Sequence, residues 1–457
     1  MNSIPLNADV VVIGGGPAGS IASNLLAQKG YDVVLLDKVR HPRNTVGESV
    51  LPHIWKYIAE AGATDDIRRA GFIVKSGGTA VWRGVIRQTA LRDFGFSEPS
   101  LHVERDEFDE ILLRVAQRHG VSAFEEVAAR EVDLSGDEKT VTYTDRSSGD
   151  GGSIKCRYVI DTSGQSAVIA NQLGFREFDR DLRFMSVWGY YNNSGYVAQG
   201  GLICPWSMRR EIPPTTIQLG MGDWGWCWHI VQKEYTSIGL VLAPSQAAEF
   251  KASGEKLEIR FDRECRKLPI IGDLLAEAEL RPGSVRAIRD FAYRPTQLAG
   301  DGWCLAGDAA AFVDPINSAG VITAGYTGSA ASWLADNCLR KPAKADYFTN
   351  IFSTLVRQRL SLFRISALPA GFNSYPEDNA IALKAAQLDS HLEQELLLVQ
   401  TRLTDRSVNL DVLAAMDSRL QYGDSPKYRE VKQLVPFQEH RGEADAVTGH
   451  RIAPELA

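Results

Sequence analysis

The chain has 457 residues, 44% hydrophobic and 23% charged; this is too long for one compact core and ordinary for a soluble globular protein of two or three domains. A net charge of −7 argues against general nucleic-acid affinity, and the absence of an uninterrupted apolar span of about 20 residues argues against a membrane span. Six scattered cysteines without a CxxC pair, and no His, Asp or Glu cluster with ligand spacing, fit reduced thiols in a cytoplasm and argue against disulfides or a metal site.

The start, MNSIPLNADVVVIGGG, lacks the basic region and cleavage site of a signal peptide and reads as a first strand. Val10 to Ile13 leads into Gly14-Gly15-Gly16-Pro17-Ala18-Gly19; an amphipathic helix runs to Lys29-Gly30, and a second strand, Val33 to Leu36, ends at Asp37. Strand, glycine turn, helix, strand and acid form a βαβ unit with the GxGxxG pattern of a dinucleotide site. Gly14 permits the tight turn, Gly16 lets the backbone approach a pyrophosphate, and Gly19 lets helix and strand pack closely. The helix N-terminus faces the phosphates, and Asp37 accepts hydrogen bonds from ribose hydroxyls. Ala18 and Lys38 complete this group of expected cofactor contacts. The motif alone does not separate FAD from NAD.

Further along lie VGESVLP, which contains Glu48 and Ser49, and GFIVKSGGTAVW, which contains Lys75. By itself Lys75 reads as a solvated lysine at the start of a strand. In HVERDEFDEILLRVAQRHG, Arg105 precedes a helix with acids early and Arg118, His119 and Gly120 at its end. A strand over Tyr158 to Ile160 leads to the turn Asp161-Thr162-Ser163-Gly164. Residues 176 to 245 carry short alternating runs and predict an antiparallel sheet on the substrate side. Within it, DWGWCWHIV places Trp224, Trp226, Trp228 and Ile230 on one strand face, with Gly225, Cys227 and His229 on the other. His229 and His102 have no evident partners and read as structural.

Trp303 to Ala306 reads as a buried strand ended by Gly307-Asp308, and a turn through Asp314-Pro315 leads to a helix near Ser318. Asp308 is placed for a ribose, and the helix-start amides face an anion or polar ring. The Ala, Gly and Ser content of this segment predicts a flat ligand lying close to the backbone. RLSLFRISALPAGF and LDSHLEQELLLVQTRL look helical, and the last 20 or so residues are polar. The expected fold is α/β: a Rossmann-type dinucleotide domain (1–175 and 281–345), an antiparallel sheet domain (176–280) and a C-terminal helical cap (346–457).

The glycine turn and the Gly307-Asp308 segment together resemble the FAD-binding fold of the para-hydroxybenzoate hydroxylase superfamily. In that superfamily the GD segment contacts the ribityl chain, the DP loop and helix lie against the isoalloxazine, and an arginine like Arg105 sits near FAD. Hydroxylases that use NAD(P)H directly usually carry a CDG-type turn; Asp161-Thr162-Ser163-Gly164 is more similar to the DASG turn of flavin-dependent halogenases. VGESVLP is similar to the halogenase loop that touches the flavin, and Lys75 stands where that family has its catalytic lysine. GDAAAFVDPINSAGV resembles the halogenase GDAAxFxDPxxSxGV segment. Trp226-x-Trp228-x-Ile230-Val231 resembles the WxWxIP signature, with Val231 in place of proline, and Ala319 replaces a common Ser or Thr.

The resemblance implies a halogenase-type oxygenase using FAD, reduced by a separate flavin reductase or by NAD(P)H, and O2. A C4a-hydroperoxyflavin would oxidise chloride or bromide, held near Ser318, Ala319 and Gly320, to hypohalous acid, and Lys75 would hold or capture it. Trp226, Trp228 and Ile230 would line the route to an electron-rich aromatic substrate: a pyrrole, phenol or indole, free, carrier-bound or within a polypeptide. Gly14, Gly16, Ala18, Gly19, Asp37, Lys38, Glu48, Ser49, Arg105, Asp161, Gly307, Asp308, Pro315, Ala319 and Gly320 would hold FAD. Two alternatives remain: a hydroxylase on the same scaffold, acting on an aromatic ring such as tryptophan in a partner polypeptide, and a flavin reductase or scaffold that never uses oxygen.

Overall fold

The computed structural model describes residues 3–82, 85–91, 96–221, 225–252 and 254–368, with 374, 375, 377, 378, 380 and 381. Trp224, the LDSHLEQELLLVQTRL segment and the polar C-terminus lie outside them. Of the cap expected over 346–457, the described part is the helix Ala345–Ala367 with a few residues beyond.

Val10, Val11 and Val12 are fully buried, as befits a parallel strand covered on both faces. Their strand, Asn7–Ile13, lies between the parallel strands Gly151–Asp161 and Val33–Asp37, and the helix Pro17–Ala27 makes the crossover. Ser122–Glu125 extends this sheet on one side and Trp303–Leu305 on the other, both parallel to their neighbours. The glycine turn is sterically fixed. Gly14 has φ +105°, and a Cβ there would stand 2.5 Å from the Thr162 carbonyl oxygen. A Cβ on Gly19 would fall 1.9 Å from the Gly14 oxygen, so Gly19 serves helix–strand packing.

The long helix Gly320–Arg340 lies on Pro17–Ala27, and a Cβ at Gly328 would be 2.5 Å from the Ala18 carbonyl oxygen. Along this helix the small residues expected to make room for a flat ligand instead let two helices approach; only the helix start reaches the cavity described below.

The second sheet runs in the order Met185–Asn192, Thr236–Leu242, Gly225–Val231, Thr215–Met221, Gly77–Trp82 and Val85–Ala90, with Arg286–Arg289 beside Met185–Asn192. It departs from the sequence division in two ways. Gly77–Trp82, Val85–Ala90 and Arg286–Arg289 join it from outside 176–280, and Gly77–Trp82 pairs with Thr215–Met221 in parallel. Strand partners are chosen by long-range packing, which alternation in a short run does not encode. A small third sheet, Ser49–Val50, Ser100–His102 and Ile73–Lys75, is tied to the second by Ser49–Thr216 and His102–Val231 contacts.

Candidate active site

A cavity of about 730 Å³ runs from the glycine turn to the inner face of the second sheet. At the nucleotide end its wall is largely backbone: Gly14, Gly16, Ala18 and Gly307 line it. Gly16 is open toward the cavity, since a Cβ there would meet nothing nearer than the Arg43 guanidinium at 3.2 Å. The Asp37 carboxylate takes the amides of Gly15 (2.7 Å) and Val39 (2.9 Å), which fixes it beside the turn. Lys38 reaches Ser166 Oγ at 2.5 Å.

Arg105 heads the helix Arg105–Arg118 and is clamped by Asp109 one turn on, through Nε (2.8 Å) and Nη2 (3.0 Å). Its Nη1 donates to the Val46 carbonyl at 2.7 Å and so ties down the loop carrying Glu48 and Ser49. Burial pushes the Asp308 carboxyl up to about 6, against the pull of Arg105. Glu48 is also raised by burial, although it accepts from the Gly47 amide (3.0 Å) and the Tyr190 hydroxyl (3.3 Å).

At the other end the wall is side chains. The strand Gly225–Val231 turns Trp226, Trp228 and Ile230 into the cavity, and the two indoles are 5.8 Å apart between centroids. Gly239 faces Trp228 across the sheet; any Cβ there would sit 2.1 Å from the ring. Trp228 Nε1 donates to Ser237 Oγ at 3.1 Å, whereas the buried Trp226 Nε1 has no protein partner. Gln218, beside Trp228 on the next strand, donates Nε2 to the Ile316 carbonyl at 2.5 Å and leaves a buried, unpartnered Oε1. Cys227, His229 and Val231 point the other way. His229 meets Ser194 Oγ at 2.9 Å, and burial pushes its pKa down to about 4. Val231, where the signature departs from proline, packs with Tyr196, Ala198 and Cys204, away from the cavity.

Between the two ends, Lys75, Ser49 and Ser318 converge. Ser49 Oγ accepts from Lys75 Nζ at 2.8 Å and from Ser318 Oγ at 3.0 Å. Ser49, Ser318, Pro315 and Gly320 line the cavity. Lys75 is 2% exposed and stands one hydroxyl behind that wall, not at a solvated strand end.

Four expected contacts are not on the wall: Gly19, Lys75, Asp161 and Ala319. The Asp161 oxygens hold the turn by accepting the amides of Ser163 (2.9 Å) and Ile169 (2.7 Å), so this buried acid organises the chain beside the cavity. Ala319 is buried at the base of the helix Gly320–Arg340. Sequence reasoning missed Arg43, Thr216, Gln218 and Tyr190, which belong to no local motif; Asp109 was signalled only by its i,i+4 spacing from Arg105.

The donor set fits FAD: an open glycine backbone beside the Arg43 cation for the phosphates, Asp37 and Asp308 for sugar hydroxyls, and buried polar atoms at the aromatic end. This is the candidate site of a flavoprotein. A family model described as FAD binding domain matches residues 7–209. The flavin-dependent halogenase armH3 of Armillaria mellea is 32% identical over 377 residues, which cover 78% of this chain and 73% of that protein. The tryptophan 2-halogenase of Chondromyces crocatus is 33% identical over 325 residues, covering 70% and 59%. In structure, the myxobacterial chondrochloren halogenase CndH superposes with a TM-score of 0.71 at 26% identity over 94% of this chain and 97% of that one. The chain belongs to the flavin-dependent halogenases. It spans 73% and 59% of the two curated relatives.

Proposed function

We propose that this chain halogenates an electron-rich aromatic ring, with Lys75 handling the oxidised halogen. The observation that supports this reading is the hydrogen-bonded group Lys75–Ser49–Ser318, whose two serines line the same cavity as the dinucleotide turn and the tryptophans. Gly14, Gly16, Arg43, Asp37 and Asp308 hold FAD, and Arg105 and Glu48 set the loop against it. When bound, reduced FAD would supply with O2 the oxidising equivalent that turns chloride or bromide into hypohalous acid. Lys75 holds the halogen as it passes the Ser49–Ser318 pair. An ammonium is a compact donor, and its amine form is a nucleophile. The ring exchanges C–H for C–halogen, and water leaves.

Trp226, Trp228 and Ile230 separate flavin from substrate. Ala367 and Leu368 pack into the same cluster as these three, so the end of the Ala345–Ala367 helix closes the aromatic end as a cap. The unpartnered Gln218 Oε1 accepts from a substrate O–H or N–H, which suits a phenol, pyrrole or indole. The substrate is free, carrier-bound or part of a polypeptide, and a separate reductase supplies reduced FAD. Six free cysteines, five of them buried, fit a cytoplasmic setting. No helix among the described residues is long and apolar enough to cross a membrane.

The test is mass spectrometry of candidate aromatics incubated with enzyme, reduced FAD, O2 and bromide. Bromine's isotope doublet on the product is expected. A product that gains only oxygen favours a hydroxylase, and reoxidation without transfer to any ring favours a non-oxygenase flavoprotein.

A further inference from the structure

We propose that His102 is a positioning residue that exchanges a proton with Lys75 through the hydroxyls of Thr216 and Ser49. The proposal rests on the role given to Lys75 above and adds a destination for its ammonium proton.

Strand register assembles the chain of groups. In the small sheet Ser49 lies opposite His102, and Lys75 lies opposite Ser100, two residues before His102. Opposite residues and i,i+2 residues share a face, so Ser49, Lys75 and His102 project together. Across from them the second sheet presents Thr216. Lys75 Nζ is 2.8 Å from Ser49 Oγ, which is 3.2 Å from Thr216 Oγ1, which is 2.8 Å from His102 Nε2. His102 Nδ1 is 2.8 Å from the Val231 carbonyl oxygen. All four side chains are at most 5% exposed.

The direction of each bond follows from what each group can do. A carbonyl only accepts, so His102 Nδ1 carries a proton, and in the neutral ring Nε2 is the acceptor. Thr216 therefore donates to Nε2 and accepts from Ser49. An ammonium only donates, so Ser49 accepts from Lys75, accepts from Ser318, and passes its own proton to Thr216. That uses both lone pairs and the one hydrogen of the Ser49 hydroxyl.

Transfer is a shift along this chain. An N–H bond of Lys75 breaks and Ser49 gains that proton. Ser49 gives its former proton to Thr216, and Thr216 gives its own to Nε2. A neutral amine and an imidazolium result, with the charge of the group conserved, and the reverse shift restores both. The amine is the form that captures an electrophilic halogen. Other ionisable groups on the elements packed around the imidazole are Glu48 beside Ser49, Glu104 and Arg105 beyond the His102 strand, His229 on the tryptophan strand and Lys233 just past it.

His102→Gln tests the relay, because its amide keeps a donor for Val231 and an acceptor for Thr216 but takes no proton. Single-turnover bromination by FAD-loaded protein, followed from pH 5 to 9, should fall in the wild type as the imidazole becomes protonated and stops accepting. His102→Gln should lose about 10²-fold and lack that limb of the profile, with FAD content and Tm retained. Thr216→Val should show the same loss, and Thr216→Ser should restore activity. A readout without turnover is 15N NMR of histidine-labelled, FAD-loaded protein, in which His102 should be the Nδ1–H tautomer at neutral pH.

Wild-type rate and profile in His102→Gln, or an Nε2–H tautomer, would overturn the relay. A loss in His102→Gln with the profile unchanged would overturn it too, since that marks a hydrogen-bonding strut. Lys75→Ala at full rate would instead remove the reading beneath it. An inactive Lys75→Ala beside an unaffected His102→Gln would remove the relay alone.

Discussion

The two ends of the cavity are built by opposite means. At the nucleotide end the wall is backbone made accessible by glycine, and its key bond, Gly15 amide to Asp37, spans 22 residues of sequence. At the aromatic end the wall is side chains on paired strands, and a contact that ties those strands to the small sheet, Ser49 to Thr216, spans 167. Binding a dinucleotide needs amides and a close approach, which one βαβ turn supplies. Placing a reactive group against a variable ring needs side chains from several elements at once, which only sheet register supplies. Each end can therefore be damaged with the other intact.

The largest effect belongs to Lys75. Lys75→Ala should lower halogenated product at least about 10²-fold in mass-spectrometric assays while FAD absorbance per chain stays at the wild-type value. Unchanged product formation would sink the role assigned to it. Loss of FAD together with activity would show that the ends are not separable.

Two glycines in one turn give the converse test. Gly16→Ala adds a Cβ that points into the cavity and meets only the Arg43 guanidinium, at 3.2 Å, so Tm should hold while FAD affinity falls at least about tenfold, equivalent to about 1.4 kcal/mol. Gly19→Ala, with its Cβ on the Gly14 oxygen, should cost about 3 kcal/mol of stability. Calorimetry and flavin titration separate the outcomes, and equal behaviour of the two variants would contradict their different placement.

At the aromatic end, Trp226→Phe keeps a ring in the wall but removes a buried N–H that has no protein partner. A ligand that supplies the acceptor for this N–H loses that hydrogen bond, so the variant should bind its aromatic substrate or FAD about 2–10-fold more weakly. Identical affinities for both would show that the N–H contacts neither.

What could be read beforehand follows the same division. The βαβ unit, Asp37, Asp308 and the alternation of Trp226, Trp228 and Ile230 are local patterns, and the structure places each on the cavity wall. Lys75 was chosen by resemblance. Its burial depends on pairing with Ser100 in a three-stranded sheet that no local signal announces. Asp161 sits inside a motif and reads as a ligand contact, yet the turn needs it to accept the amides of Ser163 and Ile169; Gly19, grouped with the FAD contacts, serves the helix–strand packing that the glycine pattern assigns it. Thr216 and Gln218 could not be selected, since their meaning comes from lying beside Trp228 and Ile230 across a strand. Val231 is where the signature departs from proline; its side chain faces away from the cavity, and its carbonyl orients His102.

The smallest predicted effect is a pH dependence at the junction of the two ends. Asp308 has a folded-state pKa raised to about 6 by burial, whereas an unfolded aspartate titrates near ~3.9. The folded protein therefore binds this proton more tightly than the unfolded chain does. The resulting stabilisation is fully present below the unfolded value and is lost as pH rises through about 6. Because Asp308 keeps some solvent contact, about 1 kcal/mol is the expected size. FAD-free wild type should gain Tm relative to Asp308→Asn as pH falls from 7 to 5, with the difference flat above 7. A difference that grows with rising pH instead would mean that the Asp308 carboxylate is stabilised when charged, with Arg105 outweighing burial.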